Sequence, residues 1–139
     1  IRRSTSAKLT ADQVAEALQN KYPVTIASNW GGMMTPPVAG NPPVRLNRRV
    51  TSWGHQMMIC AWWDHPELKE IYYIQNSWAE DAHGEPADDA PPGGFWVKKA
   101  DIDDICDARE AFAYSQFDGF PADMIPWSFM DRPTNIVVV

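Results

Sequence analysis

Cysteine is scarce in this chain: Cys60 and Cys106 are the only two among 139 residues. Two cysteines cannot suggest a disulfide framework, so cysteine usage leaves the compartment open. Long apolar runs are missing too. No stretch of eighteen apolar residues occurs, and no membrane span is expected. Positive charge is limited to 12 Lys and Arg against 18 Asp and Glu, a net charge of −6. With no basic stripe after Arg48-Arg49, binding to a nucleic-acid backbone is not expected. There is no internal repeat and no low-complexity tract. The chain starts at Ile1-Arg2-Arg3, without an initiator Met or a signal-like apolar region, which predicts a processed product or part of a longer chain.

What is present is apolar and aromatic. Hydrophobic residues make up 45% and charged residues 22%, a globular balance able to fill a core. Seven Trp, five Phe and four Tyr suggest a thick aromatic core, or one lobe's face waiting for another lobe. The length fits one domain or one lobe of a larger one. After an extended lead-in over residues 1 to 9, Thr10 fits a helix N-cap, with Gln13 completing a capping box. Val14, Ala17 and Leu18 follow at helical spacing, predicting a short amphipathic helix from Ala11 to about Asn20. Pro23 ends it, and Val24-Thr25-Ile26-Ala27-Ser28 is a β-branched strand. From Asn29 to Arg49 the glycine and proline pairs predict a long irregular loop, with a surface loop favoured over a substrate-facing wall.

Next comes the stretch around which the rest is arranged. His55 to Asp64 and Ile71 to Gln75 are predicted strands joined as a hairpin, with the turn around His65-Pro66. Alternation puts Met57, Ile59 and Ala61 on one face and Met58, Cys60 and Trp62 on the other. A strand buried on both faces is central to its sheet. Directly opposed residues point to the same face with Cβ atoms roughly 5 Å apart, so His55 and Asn76 are expected to meet at the open end. An Asn carboxamide there can fix the imidazole tautomer and leave the other nitrogen free for chemistry.

Gly54-His55, the apolar strand and then Asn76-Ser77-Trp78 resemble the C-terminal half of a papain-like cysteine peptidase. The resemblance spans roughly residues 10 to 120, and the unit from Val14 to Ile26 resembles the segment preceding the catalytic His in that family. It implies an α+β lobe of mostly antiparallel sheet with a short N-terminal helix. It also implies His55 as general base and acid, Asn76 as its orienter, Trp78 as a shield over their hydrogen bond, and Ser77 and Gly54 in support. Ala79 stands where relatives carry Gly. The acidic, proline-bearing loop 79–93 that follows is longer than theirs. Within it, His83 with Asp81, Glu85, Asp88 and Asp89 could be imagined as metal ligands. No recognised ligand spacing is present, so a solvated loop is the favoured reading and no metal or cofactor is called for.

The remaining elements are a strand over Gly93 to Lys99, a helical turn from Asp101 to Cys106 and a last strand from Ala111 to Ser115. Gln116 to Pro121 then turns the chain out. Residues 1–121 are taken as the lobe, and 122–139 as an extended tail whose apolar end can add to a partner's sheet edge.

The nucleophile is the missing part. Cys60 lies five residues along a strand from His55, roughly 16 Å away, and on the other face. Cys106 sits among Asp103, Asp104 and Asp107, which disfavour a thiolate. Three readings stand: the C-terminal portion of a cleaved peptidase, a fragment of a longer one, or a papain-like fold kept for structural or binding use. The first two require an associated N-terminal lobe or chain carrying Cys and an oxyanion-hole Gln, and a peptide or protein substrate.

Overall fold

The computed structural model describes residues 2–4, 9–108, 111–116 and 136–138. Along the chain run β1 (Arg2–Ser4), α1 (Ala11–Gln19), β2 (Val24–Ser28), β3 (Gly31–Gly32), β4 (Val38–Ala39), β5 (Val44–Arg45), β6 (Arg49–Thr51) and β7 (His55–His65). They are followed by β8 (Lys69–Gln75), β9 (Gly94–Lys98), α2 (Lys99–Asp107), β10 (Ala111–Gln116) and β11 (Ile136–Val138). The fold is α+β, built on a mostly antiparallel sheet in the order β1-β10-β2-β7-β8-β9.

Helix α1 begins where its capping box directs. Thr10 Oγ1 accepts from Gln13 N (3.3 Å), and Gln13 Oε1 accepts from Thr10 N (3.0 Å). Val14, Ala15 and Leu18 then form a stripe buried against the sheet. Burying a side chain such as Leu18, which is fully buried, contributes about 1.5–3 kcal/mol. Helix α2 lies beside α1 and starts at Lys99, earlier than the turn from Asp101 that the sequence predicts. Lys99 Nζ contacts Asp12 of α1 and Glu70 of β8, and Asp103 Oδ1 accepts from Ala11 N at 2.9 Å. Those links tie the two helix starts together.

The sheet buries both faces. On the helix side Val24, Ile26, Met57, Ile59, Tyr72 and Ile74 pack with residues of both helices. On the other side Val44, Cys60, Ala61, Trp63, Tyr73 and Trp96 form a second cluster. Strand β7 is central as expected, but its alternation breaks at Cys60. The register runs Ile59↔Ile74 and then Ala61↔Tyr73, so Cys60 is an extra residue, a β-bulge. One added residue reverses parity. Ala61 therefore lies with the second cluster and Trp62 against the helix-side one, the reverse of the expected assignment. The hairpin turn also lies later than predicted, between His65 and its partner Lys69.

Two other expectations change. Segment 29–49 is not a loose surface loop. It contains β3 paired with β6 and β4 paired with β5, and Trp30, Gly31 and Gly32 are buried. Asn47 holds it closed, its Oδ1 accepting from Met33 N (2.7 Å) and its Nδ2 donating to Met33 O (3.0 Å). The end of the tail, β11, pairs with Ala61–Trp63 of this chain's own β7. It can do so because β2 covers β7 only from His55 to Ile59, which leaves that edge open. The turn-out over 117–121 and most of the tail lie outside the described residues.

Gly94 opens β9 at a close approach. A Cβ there would sit 2.3 Å from Tyr73 Oη and 2.6 Å from the Ile74 carbonyl oxygen. Gly94→Ala is expected to cost about 2 kcal/mol by overpacking, a melting-temperature drop of roughly 5–10 °C. Thermal unfolding followed by circular dichroism checks this, and an unchanged midpoint contradicts the close approach.

Candidate functional site

The site lies where β7 begins and β8 ends. His55 is the first residue of β7 and pairs with Ser28 of β2. Asn76 follows β8 directly, and its backbone N–H donates to Gly93 O at 3.2 Å. The two are not directly opposed, as the hairpin reading supposes. The register Met58↔Gln75 puts Asn76 across from Met57, one diagonal step from His55 on the same face. The bulge makes this possible. Continued without the extra residue, the His65↔Lys69 register would set Asn76 opposite Met58, facing the other cluster.

Across that diagonal, His55 Nε2 and Asn76 Oδ1 are 2.8 Å apart. The carboxamide orientation follows from its surroundings. Ser77 N–H, which can only donate, reaches Asn76 Oδ1 at 2.7 Å, so the oxygen must face it. His55 Nε2 is therefore the protonated nitrogen. Its Nδ1 has no hydrogen-bond partner among the described residues, which leaves a basic lone pair available. Asn76 Nδ2 donates in turn to His83 Nε2 (2.9 Å), and His83 Nδ1–H donates to the Met34 carbonyl (2.8 Å).

Aromatic rings cover this chain of bonds. The Trp78 ring centre is 5.0 Å from that of His55 and 5.7 Å from that of His83. Trp53 stacks on Trp78 at 4.6 Å. A Cβ on Gly31 would fall 1.8 Å from Trp53 Nε1, so the absence of a side chain there is what admits the indole. Trp78 remains 39% exposed, so the stack itself is partly open to solvent. Beside Asn76 lies a groove of about 290 Å³, lined by Thr25, Gln56, Met57, Met58, Gln75 and Ser77 as well. His55 itself does not line it.

The expected site residues thus fare differently. His55, Asn76 and Trp78 come together. Ser77 contributes through its backbone N–H, while its side chain faces solvent. Gly54 has no task that requires glycine: a Cβ would meet only Asn29 Oδ1 at an ordinary 3.6 Å. His83 is buried rather than part of a solvated loop, with 1% of its surface exposed and both ring nitrogens engaged. No cluster of three or more His, Cys, Asp or Glu side chains disposed to hold a metal occurs among the described residues. Sequence reasoning missed His83 and Trp53. Trp53, two residues before His55, falls on the same face by simple alternation. No spacing rule points from Asn76 to His83.

Both cysteines are poor nucleophiles. Burial pushes the Cys60 thiol up to about 12, and burial followed by Asp103 and Asp107 does the same for Cys106. For Cys106 burial outweighs the carboxylates that the sequence emphasises. No protein-family model, no curated protein and no solved structure matches the chain.

Burial lowers the pKa of His83 below its ordinary 6.5, outweighing the opposite effect of the bond to Met34. Below about pH 6.5 the unfolded chain binds a proton there that the folded chain refuses, so stability falls as pH falls. The loss continues down to the lowered pKa of the folded state. Melting temperatures across this range are expected to drop toward acid in the native sequence and to drop less in His83→Gln. Parallel pH profiles for the two proteins contradict the assignment to His83.

Proposed function

We propose that this chain is the His/Asn-bearing portion of a papain-like thiol peptidase, completed by an N-terminal lobe or chain that supplies the nucleophilic Cys and oxyanion-hole donors. The observation that carries the reading is the His55–Asn76 pair, with Nε2–H held at 2.8 Å, Trp78 over the bond and Nδ1 left free. This is what a thiol nucleophile needs from its base: a fixed tautomer with a lone pair directed outward.

In the completed site the partner's thiol gives its proton to His55 Nδ1, and the thiolate attacks the peptide carbonyl. Oxyanion donors, a Gln side chain and a backbone N–H in the partner, hold the resulting tetrahedral oxygen. As the C–N bond breaks, His55 Nδ1–H protonates the departing amine and leaves a thioester. Water then attacks the thioester with His55 again taking the proton, and the acid and the thiol are released. Asn76 keeps the ring in place through both halves. Exposed Trp78, Met34 and Val50, at 39%, 57% and 52%, lie on the segments that build the site and suit coverage by a second lobe.

The burial of both thiols favours a second reading, a papain-like fold kept for structural or binding use. Native material treated with a thiol-reactive, peptide-mimicking probe and mapped by mass spectrometry separates the two. A co-isolating chain or upstream segment with a labelled Cys is expected, and its peptide hydrolysis should fall by about two to four orders of magnitude in kcat in His55→Ala. Isolation of this chain alone, with nothing labelled, sinks the peptidase reading and favours the second.

A further inference from the structure

His83 belongs to the turn 80–83, seven residues after Asn76 and outside the hairpin that carries the other site residues. Its ring is pinned from four directions: the Met34 carbonyl on Nδ1, Asn76 Nδ2 on Nε2, Phe95 edge-on at 4.7 Å and Trp78 stacked at 5.7 Å. Arg45 fastens the turn's exit to the strand-bearing segment opposite, donating to Glu85 O (2.9 Å) and Pro36 O (3.1 Å). The carbonyl of Met34 can only accept, so His83 carries its proton on Nδ1 and offers Nε2 as an acceptor.

We propose that His83 is a positioning residue: by accepting from Asn76 Nδ2 it holds the carboxamide oxygen on His55 Nε2 and keeps His55 Nδ1 as the free nitrogen. Two backbone groups, Met34 C=O and Ser77 N–H, then set the polarity of three side chains in series. Asn76 is only 6% exposed, so its amide nitrogen has little water to turn to if His83 is lost. The carboxamide then leaves its plane to find an acceptor, and its oxygen leaves His55. His83 does this without touching His55, acting only through Asn76. Its value to a reaction rests on the peptidase reading above; the tautomer arrangement does not.

The test is ¹⁵N NMR of the two imidazoles in the full chain at about pH 8, where free histidine is neutral. The arrangement requires opposite tautomers, His55 with its proton on Nε2 and His83 with its proton on Nδ1. A proton on His83 Nε2 overturns the proposal before any variant is made. His83→Phe keeps the ring but removes the acceptor. In that variant, exchange of the Asn76 side-chain amide protons should rise about five- to tenfold, as for one lost hydrogen bond, and the His55 nitrogen shifts should move from locked toward averaged values. His83→Gln, whose oxygen can stand near the Nε2 position, should restore both. Unchanged Asn76 exchange and His55 shifts in the Phe variant overturn the proposal. So does a Gln variant that melts like the native chain yet behaves like Phe. In the completed peptidase, the Phe variant should lower kcat with little change in KM. Absence of hydrolysis by the native assembly, with the tautomers as stated, counts against the peptidase reading alone.

Discussion

The carboxamide of Asn76 is wedged between groups that have no choice of role. The Ser77 amide can only donate and the Met34 carbonyl can only accept, and both are main-chain atoms fixed by the fold. Everything between them is forced in one direction. The oxygen of Asn76 faces Ser77 and His55, its nitrogen faces His83, and each imidazole takes the tautomer its neighbour leaves open. A side chain that could flip in isolation becomes a rigid part of the sheet's end.

That arrangement depends on a single surplus residue in β7. Tyr72 and Ile74 face the helix side of the sheet, and Asn76 continues their row. His55, Met57 and Ile59 form the matching row on β7, and the two rows share a face only because Cys60 is inserted between Ile59 and Ala61. The same insertion turns Trp62 toward the helices and Ala61 toward the second cluster. A local irregularity in the middle of the longest strand thus sets both the layering of the core and the geometry of its end.

Much of this was legible in the residues themselves. Thr10 and Gln13 announce the helix start, the β-branched and aromatic runs announce β2, β7 and β8, and the order Gly54-His55 then Asn76-Ser77-Trp78 points to the pair that meets. What the residues concealed has a common cause in tertiary contact. No Gly or Pro marks the bulge at Cys60, so simple alternation misplaces Ala61 and Trp62. The pairing of His55 with Asn76 is expected for a direct cross-strand register, yet it is achieved diagonally. The glycines and prolines of 29–49 suggest disorder of form, yet Gly31 and Gly32 are small so that Trp53 and Asn47 can press on the backbone. His83 sits in an acidic, polar stretch whose composition predicts solvent, and only the groove between Met34, Asn76 and Phe95 makes it a buried residue.

Cys60, the bulge residue, carries one more consequence. Its sulfur lies inside the second cluster, 4.0 Å from the Tyr73 carbonyl, and burial keeps it in the protonated form that alkylating reagents attack slowly. Cys106 is fully buried under the same constraint. The folded chain is therefore chemically quiet toward thiol reagents despite containing two thiols. Rapid modification of Cys60 reports that the second cluster has opened, and rapid modification of Cys106 that the helix-side core has, which makes the pair a built-in gauge of native-state integrity.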